Sequence, residues 1–173
     1  MRFVRHYAQS ACFLGFGGLA VCLASSALAA APVSAHADLA PTSGSSVSGS
    51  VVVTTIPTGV HLVVKASGLT PGVHGFHVHE VGDCSAPDAS SAKGHFNPGA
   101  KPHGMHAGDL SDLTADATGA AKLSVDMRGL ELGDGPTGIL GRAFVIHADP
   151  DDHKSQPAGN SGKRVACGVI KAG

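Results

Sequence analysis

In the eight residues from Ala121 to Arg128 every second side chain is apolar: Ala121, Leu123, Val125 and Met127 alternate with Lys122, Ser124, Asp126 and Arg128. A period of two belongs to a strand with one face in a core and the other in water. Val60, Leu62, Val64 and Ala66 repeat the pattern, which turns His61 outward as a surface side chain with no assigned role. A third β-like run spans Val47 to Ile56, and Pro57-Thr58-Gly59, Gly68, Pro71-Gly72 and Thr118-Gly119 punctuate the chain. There is no internal repeat and no long helix. Such a chain is expected to be all-β, with about seven or eight antiparallel strands in a Greek-key β-sandwich or flattened eight-stranded barrel. Val81 to Gly108 and Asp149 to Lys163 break the spacing, and loops of that length are functional or disordered.

The chain has 173 residues, enough for one domain plus a processed end. Arg2, Arg5 and His6 precede an apolar run from Ala11 to Ala24 and the small-x-small triplet Ala27-Leu28-Ala29. This order reads as a secretory signal over residues 1–29, too short in its apolar part to span a bilayer. Residues 30–37 are then expected as a flexible lead-in and residues 38–173 as the folded domain, exported to the periplasm or secreted. A lipid-anchored form cleaved before Cys22 is a minor alternative, because Val21 is bulkier than such cleavage prefers. Removing Arg2 and Arg5 leaves ten Lys and Arg against 13 Asp and Glu, a mature charge of -3. With no basic block longer than Lys163-Arg164, nucleic acid is excluded as a partner. Cys84 and Cys167 are the cysteines that remain, and an even pair in an exported chain points to a disulfide. Its loop of more than 80 residues would give about 4–5 kcal/mol of stabilisation in the chain-entropy picture.

Eleven histidines are the compositional outlier. In Gly75-Phe76-His77-Val78-His79-Glu80, Phe76 and Val78 are the core side of a strand, so His77 and His79 share the outer face and need a roof before they can hold a metal. By the same parity Phe144 and Ile146 face the core, and His147 faces out with Val145. The first long loop adds His95, His103, His106 and Asp109. Three imidazoles and a carboxylate form an adequate tetrahedral set for Zn²⁺, and three or more imidazoles in a flatter arrangement suit copper. If His95 served both groups, each of its ring nitrogens would face one metal. The competing readings, exposed surface histidines and a solvated polar loop, leave so many potential ligands in register unexplained.

Gly75 to Glu80, Gly94-His95-Phe96-Asn97-Pro98, Ala107-Gly108-Asp109-Leu110, Gly141-Arg142 through His147, Gly159-Asn160-Ser161-Gly162 and Arg164 to Gly168 together resemble the copper/zinc superoxide dismutases, in the family's order, over nearly all of the chain from Asp38. The resemblance implies a β-sandwich carrying one copper and one zinc per chain. It implies His77, His79, His95 and His147 as copper ligands and His95, His103, His106 and Asp109 as zinc ligands, with His95 as the bridge. Asp151 matches a carboxylate that accepts hydrogen bonds from His77 and His103 without being a ligand. Arg164 matches the arginine that guides and holds the anion, Cys84 with Cys167 matches the family disulfide, and His74 a structural histidine; His36 and His153 are read as exposed. The implied activity is dismutation of superoxide to O₂ and hydrogen peroxide, with superoxide as the small-molecule partner, no membrane span, and a homodimer left open. The second hypothesis, a non-catalytic copper-binding or chaperone-like module on the same fold, is expected to lack a copper ligand or the arginine, and this chain lacks neither. Three departures from eukaryotic members stand out, the first being that Cys84 sits early in its loop, followed by Ser85-Ala86-Pro87-Asp88, as in the bacterial exported members that the chain resembles. Only Gly104 and Met105 separate His103 from His106, and the second loop is short, reading Gln156-Pro157-Ala158 where guiding charges are usual.

Overall fold

A computed structural model describes residues 34–133 and 135–173. The signal expected over residues 1–29 and the start of the lead-in lie outside the described residues. Strands β1 (Ser34–Pro41), β2 (Ser48–Ile56) and β3 (Gly59–Ser67) form an antiparallel meander. Two very short strands follow, β4 (Gly72–His74) and β5 (Phe76–His79), and then β6 (Leu113–Ala115), β7 (Ala121–Arg128), β8 (Ala143–His147), β9 (Arg164–Val169) and β10 (Lys171–Ala172). The ladder runs β4-β6-β7-β3-β2-β1-β9-β8-β5, and β10 pairs with β1. Because β4 and β5 are one run interrupted at Gly75, and β9 and β10 one run interrupted at Ile170, the ten short strands amount to an eight-stranded, nearly closed barrel.

The alternating runs behave as their parity requires. Val60, Leu62 and Val64 are fully buried, paired in register with Met127, Val125 and Leu123 of β7. Phe76 and Val78 from β5 meet Phe144 and Ile146 from β8 in the same core, with the two phenyl rings stacked at 5.3 Å between centroids. One expectation needs correction: the domain does not begin at Asp38. β1 starts at Ser34, within the expected lead-in, and buries Ala35, Ala37 and Leu39 while His36 and Asp38 face out. The alternation is there, but two of its three inward residues are alanines, whose small apolar surface gives little contrast with the Ala- and Ser-rich neighbourhood.

The two long connections position the site. β5 is a sheet edge, and the loop after it folds back along that edge, with Phe96 N–H donating to Val78 O at 2.8 Å and Val78 N–H to Gly108 O at 2.9 Å. This return path sets His95 opposite His79 and Asp109 opposite His77 as though they lay on a further strand. The roof that outward histidines require is therefore made by covering an otherwise unpaired edge. Arg142 fastens the arrangement: its guanidinium sits 3.6 Å above the Phe96 ring and donates to Glu80 O and Gly138 O, each at 2.7 Å. The Cys84–Cys167 disulfide ties the same loop to β9, with Ala89, Ala92, Ala143 and Val145 packed around it as a small second core.

Candidate metal centre

Two ligand groups meet under this roof, and within each the donor atoms all lie within 4.8 Å of one another. One holds His77, His79, His95 and His147; the other holds His95, His103, His106 and Asp109. All seven sequence-selected side chains are thus brought together, and His95 belongs to both groups. His77 is 0% exposed and His79 1%, so the outer face of β5 has become an interior.

Hydrogen bonds decide which nitrogen of each ring is left for a metal. His77 Nε2–H donates to Asp151 Oδ2 at 2.7 Å, leaving Nδ1 turned into the first group. His79 Nδ1–H donates to Lys93 O at 2.9 Å, and His147 Nδ1 faces Gly162 O at 3.4 Å. Their Nε2 atoms converge to 3.4 Å. His103 Nε2–H donates to the other oxygen of the same carboxylate, Asp151 Oδ1, at 2.8 Å, which leaves its Nδ1 for the second group. Asp151 is 5% exposed and reaches one ring of each group at once.

The donor set fits metals on the structure's own terms. His77 Nδ1, His95 Nε2 and His103 Nδ1 are buried without a hydrogen-bond partner. Leaving such atoms unsatisfied costs about 1–3 kcal/mol each, so three in one small volume mark places where something else is bound. In the second group Asp109 Oδ1 stands 2.9, 3.3 and 3.1 Å from Nδ1 of His95, His103 and His106. A tetrahedron with bonds of about 2.0–2.1 Å has donor separations of about 3.3–3.4 Å. The other oxygen, Asp109 Oδ2, is occupied by the N–H groups of Gly104 and His106 at 2.8 and 3.0 Å, which fixes the carboxylate. A closed N₃O set of this size suits Zn²⁺, and the all-imidazole set suits copper.

Burial keeps His77, His79 and His147 neutral, the state a ligand needs. Burial, reinforced by neighbouring His95, lowers the His77 pKa to about 4; burial lowers His79 to about 2 and His147 to about 3. Burial would raise the Asp109 carboxyl, but hydrogen bonds from His95 and the His106 N–H outweigh it and hold the group well below the usual carboxylate range. Asp151 shows the same balance, with His103 as its strongest opposing partner.

Arg164 is half-buried at the start of β9, paired in register with His147. Its Nη1 donates to Ala89 O at 2.5 Å and its Nη2 to Lys93 O at 2.6 Å. Lys93 O therefore accepts from both Arg164 and His79. Among the described residues no Lys or Arg comes within 4.0 Å of a carboxylate, so the two carbonyls orient Arg164 without neutralising it. His74 faces His147 O at 2.9 Å and Thr70 O at 2.8 Å, bracing the end of β8.

Several working groups escaped sequence reasoning. Gln156 Oε1 accepts the His103 backbone N–H at 2.8 Å, tying the second loop to the first; an uncharged residue in a short loop carried no signal for that. The carbonyls of Ala89 and Lys93 have no side-chain signature at all. His153, read as simply exposed, is 52% exposed at the side chain yet stands 3.5 Å from Asp112 and 3.7 Å from Asp151.

Comparison with known proteins agrees with this geometry. The copper/zinc superoxide dismutase (SODC) family matches residues 47–170. A Superoxide dismutase [Cu-Zn] 1 of Aquifex aeolicus is 42% identical over 147 residues, covering 79% of this chain and 86% of that protein. A Superoxide dismutase [Cu-Zn] of Deinococcus radiodurans is 42% identical over 154 residues, covering 79% and 84%. The crystal structure of a SOD-like protein from Bacillus subtilis superposes with a TM-score of 0.71 at 36% identity, covering 77% of this chain and 95% of the other. With the family matched across most of its length and two ligand groups sharing one histidine, the chain belongs to the copper/zinc superoxide dismutase family.

Proposed function

We propose that this chain dismutates superoxide to O₂ and hydrogen peroxide, using one copper held by His77, His79, His95 and His147 and one zinc held by His95, His103, His106 and Asp109. The observation that carries the reading is the placement of His95, whose Nδ1 lies 2.9 Å from Asp109 Oδ1 while its buried Nε2 has no partner on the other side. Held by these residues, copper would supply a one-electron redox couple for the two half-reactions and zinc a fixed positive charge. The protein's own part is to hold, orient and protonate. Asp151 and the Lys93 carbonyl fix the ring planes of His77, His103 and His79. With Nδ1 of His95 committed to the zinc group, Nε2 is the atom at which a proton can be held for the peroxide product. Arg164, with Asp88 acting on it only from beyond salt-bridge distance, supplies a positive charge beside His79 and His147 to seat a small anion.

The alternative, a non-catalytic copper-binding module, requires a missing ligand or a missing arginine, and no observation favours it. The direct test is superoxide decay followed after copper and zinc loading and again on the metal-free protein; equal rates would refute the activity. Residues 1–29 are read as an export signal, placing the mature chain in the periplasm or outside the cell. An intact-mass spectrum of protein from the outer compartment should begin near Ala30, and retention of residues 1–29 would refute that reading.

A further inference from the structure

Away from the metals, on the outer face shared by β3 and β7, His61 is not the isolated surface side chain its sequence position suggests. The β3–β7 register sets His61 directly opposite Asp126, and His61 Nδ1–H donates to Asp126 Oδ1 at 2.6 Å. That bond commits Nδ1 as the donor, so that in the neutral ring Nε2 is the acceptor. Two residues along β7 on the same face, the Ser124 hydroxyl donates to His61 Nε2 at 3.2 Å. A hydroxyl, an imidazole whose Nε2 faces it, and a carboxylate on the other ring nitrogen are thus aligned on two rigid strands. A second observation lies on the same face: Lys65 and Lys122 are directly opposed one row beyond Ser124 and Val63, two rows beyond His61 and Asp126. Like charges facing each other across a ladder are destabilising, and neither ammonium has a carboxylate within 4.0 Å among the described residues, so an anion set between them would relieve the repulsion.

We infer that Ser124 is a nucleophile activated by His61 and Asp126, and that it takes up the acyl group of small acyl phosphates such as acetyl phosphate. In the step, Ser124 Oγ forms a bond to the acyl carbon as the bond from that carbon to the phosphate oxygen breaks. His61 Nε2 takes the hydroxyl proton and passes it to the departing phosphate, which Lys65 and Lys122 attract. The products are an O-acylserine and inorganic phosphate. Ser124 and Asp126 are both solvent-exposed, so water is not excluded as it is in a serine hydrolase. The site is therefore restricted to donors already activated by their leaving group and to a single slow acylation, without efficient turnover.

A positioned base contributes about 10²–10⁴-fold in an enclosed site, and exposure puts the effect here at about ten- to a hundredfold. The test incubates the metal-loaded protein with acetyl phosphate and maps acetyl groups by peptide mass spectrometry before and after hydroxylamine, which strips O-acyl but not N-acyl groups. One hydroxylamine-labile acetyl group is expected on Ser124, absent in Ser124→Ala and formed at least tenfold more slowly in His61→Gln and in Asp126→Asn. Retained copper and zinc content shows that each variant is folded, since all three positions lie outside the metal centre. Acetylation confined to lysines, or an equal rate at Ser124 in both base variants, would overturn the proposal. Replacing Lys65 and Lys122 with Gln should slow acetyl phosphate and abolish its salt dependence while sparing the neutral donor p-nitrophenyl acetate; no difference between the donors would overturn the assignment to acyl phosphates.

Discussion

A methyl group added at Gly159 would strike the carboxylate that joins the two histidine groups. Gly159 has φ +64, and a Cβ built there falls 1.8 Å from Asp151 Oδ1, 2.6 Å from Asp151 Cγ and 2.5 Å from His103 Nε2. Restoring ordinary contact requires a shift of about 1.5 Å, and the bonds from His77 at 2.7 Å and His103 at 2.8 Å do not survive a move of that size. Loss of such a partner lowers metal affinity by about 10–100-fold, and here one displacement removes a partner from a ligand of each metal. Gly159→Ala should therefore weaken copper and zinc binding together, each by at least about tenfold. The left-handed backbone adds a penalty of about 1–2 kcal/mol that has nothing to do with the metals. Gly129→Ala isolates this part, because Gly129 has φ +79 with nothing within 4 Å of its Cβ position. Chelator competition for each metal, with urea unfolding of both variants, separates the effects. If Gly159→Ala kept both affinities within about threefold of the parent while Gly129→Ala lost the same stability, the role given to Asp151 would be wrong.

Arg164→Ala should weaken azide binding to the copper-loaded protein about tenfold and flatten its salt dependence without releasing copper, with Lys163→Ala doing less; visible absorption titrations at two ionic strengths decide, and an unchanged azide affinity refutes it. Gln156→Ala leaves the His103 N–H without its acceptor, a loss of about 1 kcal/mol that should lower zinc affinity about fivefold; unaltered zinc affinity would show that the loop-to-loop tie is idle. In the metal-free protein the folded state holds the His77 pKa at about 4, below its ordinary 6.5, so between those values the unfolded chain binds the extra proton. Stability should be intact above pH 6.5 and fall by about 3 kcal/mol as pH drops through that window, measured as urea midpoints, and a flat profile would contradict the burial argument. Replacing Cys84 and Cys167 together with Ser should cost about 4–5 kcal/mol by denaturant titration, and a cost below about 1 kcal/mol would mean that the loop stays closed without the bond.

The parts legible in the sequence are those that repeat or that carry unusual side chains. β3 and β7 announce themselves because apolar residues recur at every second position, and β2 because it is a run of valines and threonines, whereas β1 hides because Ala35 and Ala37 contrast weakly with their surroundings. The ligand residues are legible as residue types. What a linear pattern does not contain is the nitrogen each ring offers, since that depends on an acceptor brought from elsewhere in the chain: Asp151 for His77 and His103, and the Lys93 carbonyl for His79. The same limit hid the Ser124–His61–Asp126 chain, because alternation places each residue on the outer face but only the β3–β7 register sets His61 opposite Asp126.

Strand parity and enclosure also make separate contributions to the chemistry. Parity alone turns His77, His79 and His147 toward water, where imidazoles titrate near neutrality and protons compete with metals for the same nitrogens. The loops laid over β5 reverse that environment, and burial is the largest influence holding all three rings neutral. Enclosure also joins the two ligand groups twice, once through the His95 ring and once through the Asp151 carboxylate. On the proposed assignment, removing His95 takes a ligand from each metal but leaves His77 and His103 on one carboxylate, whereas moving Asp151 leaves the shared ring in place. Neither change alone makes the sites independent. The two routes should therefore be non-additive in a double-mutant cycle on zinc affinity, with copper loaded and then absent, and strict additivity would mean that only one of them carries the coupling.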